Sequence, residues 1–259
     1  MRYRVWTPVA AILAAMVMAA EASAGAWTRP RGEALLIYSL GYHWLESGPA
    51  AFTKQETAIY GEYGWRNYLT VVARAGFQQM DRADRVDDVL LHSGGRGVGG
   101  LEAGARLRLR RTERWSVSGQ LLGLIPGTGE NRTNAPFGRG GGGADLRIMA
   151  GRSIGRSSFV DIQAGWRARP DAPVSEYRLD ISAGTHVARG LRAFVQTFSV
   201  WSDAGGPDGL RNYTGHRLQA SLIWPLGSRR HVQVSALTTL HSRNVADETA
   251  LIVSIWRSF

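Results

Sequence analysis

The sequence predicts an all-β fold, a transmembrane antiparallel up-and-down β-barrel of about 12 strands. Three observations predict it. Apolar and polar residues alternate with a two-residue period in stretch after stretch from Ala34 to the end. The connections between stretches alternate between short and longer, as periplasmic turns and extracellular loops do. The apolar side of the stretches carries aromatic residues toward its ends and keeps charge from its middle, which suits a bilayer with interfacial aromatic belts. A soluble β-sandwich also has an apolar face, but nothing in it calls for aromatic bands at both rims.

The chain opens with Arg2 and Arg4, an apolar run over 9–20 and the small-x-small Ala22-Ser23-Ala24. That is the order of parts in a secretory signal peptide, and the run is too short to span a bilayer. Residues 1–24 are therefore expected to be removed, leaving 25–259 as one barrel that begins Gly25-Ala26-Trp27.

The first strand, 34–44, turns Leu36, Tyr38, Leu40, Tyr42 and Trp44 outward, with Ser39, Gly41 and His43 opposite. The second, 55–65, turns Thr57, Ile59, Gly61, Tyr63 and Trp65 outward; the third, 68–78, does the same with Leu69, Val71, Ala73, Ala75 and Phe77. Residues 79–96 read as a long polar loop. The fourth strand, 97–110, sets Leu101, Ala103, Ala105, Leu107 and Leu109 against Glu102, Arg106, Arg108 and Arg110. The fifth, 115–125, sets Trp115, Val117, Leu121 and Ile125 against Ser116, Ser118 and Gln120, and a Gly-rich loop runs over 126–142. The sixth, seventh and eighth, 143–152, 158–168 and 176–187, keep the pattern. The ninth, 191–201, is the least regular: Thr197 and Ser199 share the outward side with Ala193, Val195 and Trp201, while Phe194 and Phe198 fall inward with Arg192 and Gln196. The tenth, eleventh and twelfth are 213–224, 230–241 and 248–259. A final strand is normally an open edge; here it can pair with the first and close the sheet.

With the first strand running outward, the extracellular rim of the lipid face carries Trp44, Phe77, Trp166, Tyr177 and Trp201. The periplasmic rim carries Trp65, Trp115, Trp224 and Phe259. Arg152 and Arg257 are outward but terminal, where a long side chain snorkels. The other face is the lumen. Arg74, Arg106, Arg108, Arg110, Arg147, Arg167, Arg178, Arg192 and Arg217 fall on it, with Glu56, Glu62, Glu102, Asp145, Asp161, Glu176, Asp180 and Glu248. Such charges must pair or meet water. One account is a hydrated pore whose arginines favour anions; the other is a self-neutralising network that holds the barrel together.

Other chemistry is thinly supported. With no cysteine, the chain has no disulfide, thiol nucleophile or cysteine metal site. The net charge of +10 comes from dispersed arginines, which speaks against a nucleic-acid partner. Gly138 to Gly143 lacks the ending of a phosphate loop, no cofactor is expected, and Asp81, Asp84, Asp87 and Asp88 are more simply solvated than metal-binding. His241-Ser242, near Glu248, has the residue types of a lipid hydrolase, but neighbours on a strand point to opposite faces.

The amphipathic last strand ending in Phe259 resembles the C-terminal signature of bacterial outer-membrane barrels, which implies an outer membrane facing lipid and lipopolysaccharide, and insertion by the barrel-assembly machinery through that strand. The runs Arg96 to Leu109 and Leu121 to Gly129 resemble a segment of proteobacterial outer-membrane channels, including the family associated with the meta-pathway of phenol degradation. The resemblance implies a porin-like channel. Related transporters of hydrophobic compounds have an N-terminal hatch; the nine or so residues from Gly25 to Glu33 are too few for one by chain reach. The expected function is passive diffusion of small hydrophilic solutes, anions favoured, with a lipid hydrolase (lipid A deacylase or phospholipase type) or a closed structural or adhesion barrel as alternatives.

Overall fold

The computed structural model describes residues 25–47, 50–86, 89–131, 142–155, 157–168, 175–188, 190–202 and 212–259. The proposed signal peptide, 1–24, lies outside them, as do Asp87, Asp88 and most of the Gly-rich loop. The strands are β1 (Ala34–Ser47), β2 (Ala50–Arg66), β3 (Leu69–Val86), β4 (Val89–Arg111), β5 (Trp115–Ile125), β6 (Gly129–Asn131), β7 (Gly143–Ile154), β8 (Ser158–Ala168), β9 (Glu176–Ala188), β10 (Leu191–Ser202), β11 (Thr214–Pro225), β12 (Arg230–Arg243) and β13 (Asp247–Ser258). β6 is a short strand laid antiparallel on the upper part of β4, Gly95 opposite Asn131. The other twelve form the barrel, each antiparallel to the next. β13 returns to β1, from Leu35 opposite Ser258 to Glu46 opposite Asp247, so no edge is left open. Phe259 lies at the periplasmic end by the rule for such barrels.

The molecule is inside out. Leu40, Leu121 and Leu251 are 54%, 56% and 54% exposed, whereas Lys54 is 1% and Asp145 and Glu176 are 0%. Water would reverse that arrangement; a bilayer outside and a polar lumen inside produce it. All the outward positions named for β1 are exposed. In β10, Phe194 and Phe198 are buried inward and Val195 is exposed, so its irregular alternation has the phase expected.

The rims carry their aromatics in adjacent registers. Trp166 pairs with Tyr177, and Tyr177 with Trp201, a run of three across β8, β9 and β10. Arg152 and Arg257, outward by their place in the alternation, lie over aromatic rings, Arg152 5.2 Å from the Trp115 centroid and Arg257 4.6 Å from that of Phe259. Each cation thereby meets a negative π-face.

Two expectations are corrected. Residues 79–96 are not a loop: β3 and β4 continue as a paired ladder to Val86 opposite Val89. Likewise β2 begins at Ala50, not at 55, leaving only 48–49 between β1 and β2. A hairpin rising above the membrane has water on both faces, so its ladder persists without the apolar alternation that betrays a lipid-facing strand.

Candidate functional site

The N-terminal residues before β1 turn into the lumen. The Ala26 amide donates to Asp161 Oδ2 on β8 at 2.9 Å, and its carbonyl accepts from Ser116 and Ser118 on β5 at 2.7 and 2.6 Å. The Trp27 carbonyl accepts from Arg106 on β4, and the Arg29 amide donates to Thr70 on β3. The Trp27 ring meets Phe159 edge-on, centroids 6.0 Å apart, and lies over Gly151 of β7, where a Cβ would come within 2.3 Å of it. Only glycine leaves room for the indole there. The segment therefore crosses the periplasmic end from β3 to β8. On the far side Phe159, Phe194, Ile223 and Trp256 pack together from β8, β10, β11 and β13. Nine extended residues cover roughly 30 Å, too little to fill a barrel as a hatch would but enough to cross one.

Beside this segment, Glu62 accepts from Arg29 Nε at 2.7 Å, Arg106 Nη1 at 2.9 Å and Tyr60 Oη at 2.6 Å, while Arg106 also reaches Gln120. Two further networks lie in the outer half. In one, Asp145 binds Arg147 Nε at 2.7 Å and Arg167 Nε at 2.8 Å; Arg147 continues to Asp180 at 2.7 Å and Arg167 to Glu102 at 2.9 Å. Arg178 pairs with Glu176, whose other oxygen accepts from Tyr213. In the other, Glu248 on β13 gathers His43 of β1 (2.6 Å), Lys54 of β2 (3.5 Å) and Arg217 of β11 (2.7 Å). Lys54 also meets Glu56 at 3.2 Å, and Arg74 stands 3.7 Å from Glu56. Next to this group Ser39, Gly41, His43, Glu56, Ala58, Arg74 and Ile252 line a small recess.

Most of the arginines expected in the lumen are thus engaged by carboxylates. Arg108 and Arg192 have no carboxylate partner among the described residues; Arg192 instead donates to His186 at 3.1 Å. Arg110 stands apart, because a bulge slips the register between Arg108 and Arg110 and sets Arg110, exposed, opposite outward-facing Val117. Lys54 and His43 were not among the expected pore residues. Lys54 fell outside the strand start assigned to 55, and His43 needed the β1–β13 register to be seen beside Glu248.

The hydrolase residues do not meet. A bulge in β12 brings His241 beside His216 on the outward face, rings stacked at 6.1 Å, whereas Ser242 donates to Asp247 at 2.6 Å and Glu248 points inward. A different outward pair is hydrogen-bonded: Ser199 Oγ lies 2.9 Å from His216 Nδ1, with Trp201 against the imidazole at 5.3 Å.

No protein-family model and no curated protein sequence matches the chain. Solved structures do. An outer membrane channel from Pseudomonas putida F1 superposes with a TM-score of 0.70 at 14% identity, over 91% of this chain and 98% of that one. The translocator domain of the autotransporter NalP from Neisseria meningitidis gives 0.59 at 8% identity, over 97% and 93%. The NanC porin gives 0.53 at 10% identity, over 85% and 98%. The likeness is one of fold, that of outer-membrane β-barrels.

Proposed function

We propose that the chain is an outer-membrane pore for passive diffusion of small hydrophilic solutes, with a mild preference for anions, and not an enzyme. The observation that carries this reading is the charged, buried interior of a closed barrel whose outside is apolar. Charges in a lumen must pair or meet water; most of these pair, and Arg108 and Arg192, which meet no carboxylate among the described residues, are left to water and solute. The likeness to the Pseudomonas channel points the same way. The anion preference rests on Arg108 and Arg192, which no carboxylate neutralises among the described residues. Outer-membrane lipid and lipopolysaccharide are the surroundings this reading gives the apolar band, and the barrel-assembly machinery the partner it gives β13.

Refolded mature protein in planar bilayers is expected to show small conductance steps with reversal potentials on the anion side. A silent membrane would leave the closed structural or adhesion barrel; cation selectivity would overturn the role given to the arginines. The Ser199–His216 hydrogen bond favours a second reading, an outer-membrane lipid hydrolase, since a nucleophile in contact with its base is the first geometric requirement. No side chain among the described residues orients the other imidazole nitrogen. On this reading Ser199→Ala abolishes release of fatty acid from phospholipid or lipid A; on the pore reading there is no release to abolish.

A further inference from the structure

Asp161 is fully buried on the lumen side of β8. Its hydrogen-bond donors among the described residues are both neutral, the Ala26 amide at 2.9 Å and Gln163 Nε2 at 2.8 Å. The neighbouring guanidiniums serve other carboxylates, Arg106 serving Glu62, and Arg147 serving Asp145 and Asp180. A buried carboxylate in such a place is strongly unfavourable without a counter-ion. Gly25 lies against it: a Cβ there would fall 2.9 Å from Asp161 Oδ1 and 2.1 Å from Gln163 Nε2, so a side chain would have to displace both groups. While Gly25 is joined to Ala24, its nitrogen is a neutral amide.

We propose that cleavage between Ala24 and Gly25 supplies the missing counter-ion: the new α-ammonium of Gly25 pairs with Asp161 inside the barrel and fastens the N-terminal segment across the lumen. The reaction is hydrolysis by a signal peptidase. One water is consumed, and a carboxylate is left on Ala24 and an ammonium on Gly25. Ala22-Ser23-Ala24 has the small residues such a peptidase accepts. The pairing also explains why Asp161 turns to this end of the chain rather than to an arginine.

The test reads amine chemistry and not conductance, so it is separate from the pore proposal. Protein secreted to the outer membrane is expected to begin at Gly25 by mass spectrometry of its N-terminal peptide. In the folded barrel that amine is expected to react with an acylating succinimidyl ester at neutral pH at least tenfold more slowly than in Asp161→Asn, which keeps the side chain's shape and removes its charge. Gly25→Ala, whose methyl pushes Gln163 and the Asp161 carboxylate away from the amine, is expected to lose the same protection and serves if Asp161→Asn does not fold. A mature chain beginning elsewhere, or equal acylation rates in the parent and the folded variants, overturns the proposal.

Discussion

Deleting Gly25 to Arg31 is expected to raise single-channel conductance several-fold. Those residues cross the periplasmic end of the lumen, held through Ala26, Trp27 and Arg29 by β2, β3, β4, β5 and β8. A twelve-stranded ring is intermediate between barrels filled by their own side chains and those that leave a wide channel. One extended chain and an indole therefore take a large share of its cross-section. None of the strand pairings that close the ring involves the deleted residues, so the truncated barrel is expected to fold and to migrate as the parent does. Trp27→Ala is expected to give a smaller increase, because the backbone crossing remains while the ring leaves Gly151 and Phe159. Unchanged conductance in the deletion, with folding intact, would mean that solute does not pass this point.

The outward face was legible because a bilayer demands apolar side chains at every second position, and a two-residue period is visible without knowing what pairs with what. Leu36 to Trp44 needed nothing more. Beyond the bilayer that demand lapses. Gln79 to Val86 forms a ladder through polar residues, and the pattern that marks a strand elsewhere is missing there. The lumen was legible in type but not in pairing. That Glu248 belongs with His43 and Lys54 depends on β13 lying beside β1 and β1 beside β2 in particular registers. The N-terminal crossing left weaker traces: Trp27 stands outside any strand pattern, and Gly151, Ser116 and Ser118 put small side chains inward where the segment passes. Each is intelligible only once the backbone has been placed among them.

Glu248→Ala is expected to cost about 3–5 kcal/mol of stability, the range for breaking a buried ion pair from one side. Three groups converge on this carboxylate, and Lys54 and Arg217 are themselves buried. Arg217 Nη1 lies 2.7 Å from Oε2 without hydrogen-bond alignment, so charge more than a directed bond ties it there. Glu56 still serves Lys54 after the substitution, whereas Arg217 loses the Glu248 carboxylate that it meets at 2.7 Å. Glu248→Gln separates charge from shape: it keeps the volume and is expected to lose most of the same stability. Adding Arg217→Met to Glu248→Gln is then expected to recover part of the loss, because a buried cation is removed together with the charge that faced it. Urea unfolding in lipid vesicles, followed by tryptophan fluorescence and extrapolated to water, measures all three. A loss below about 1 kcal/mol in Glu248→Ala would place water around these charges, since exposed pairs contribute no more than that. The same variant ties the network to transport. Removing one lumen anion while leaving its cations is expected to move the reversal potential further toward anions, and a shift toward cations would mean that solutes do not sense this part of the wall.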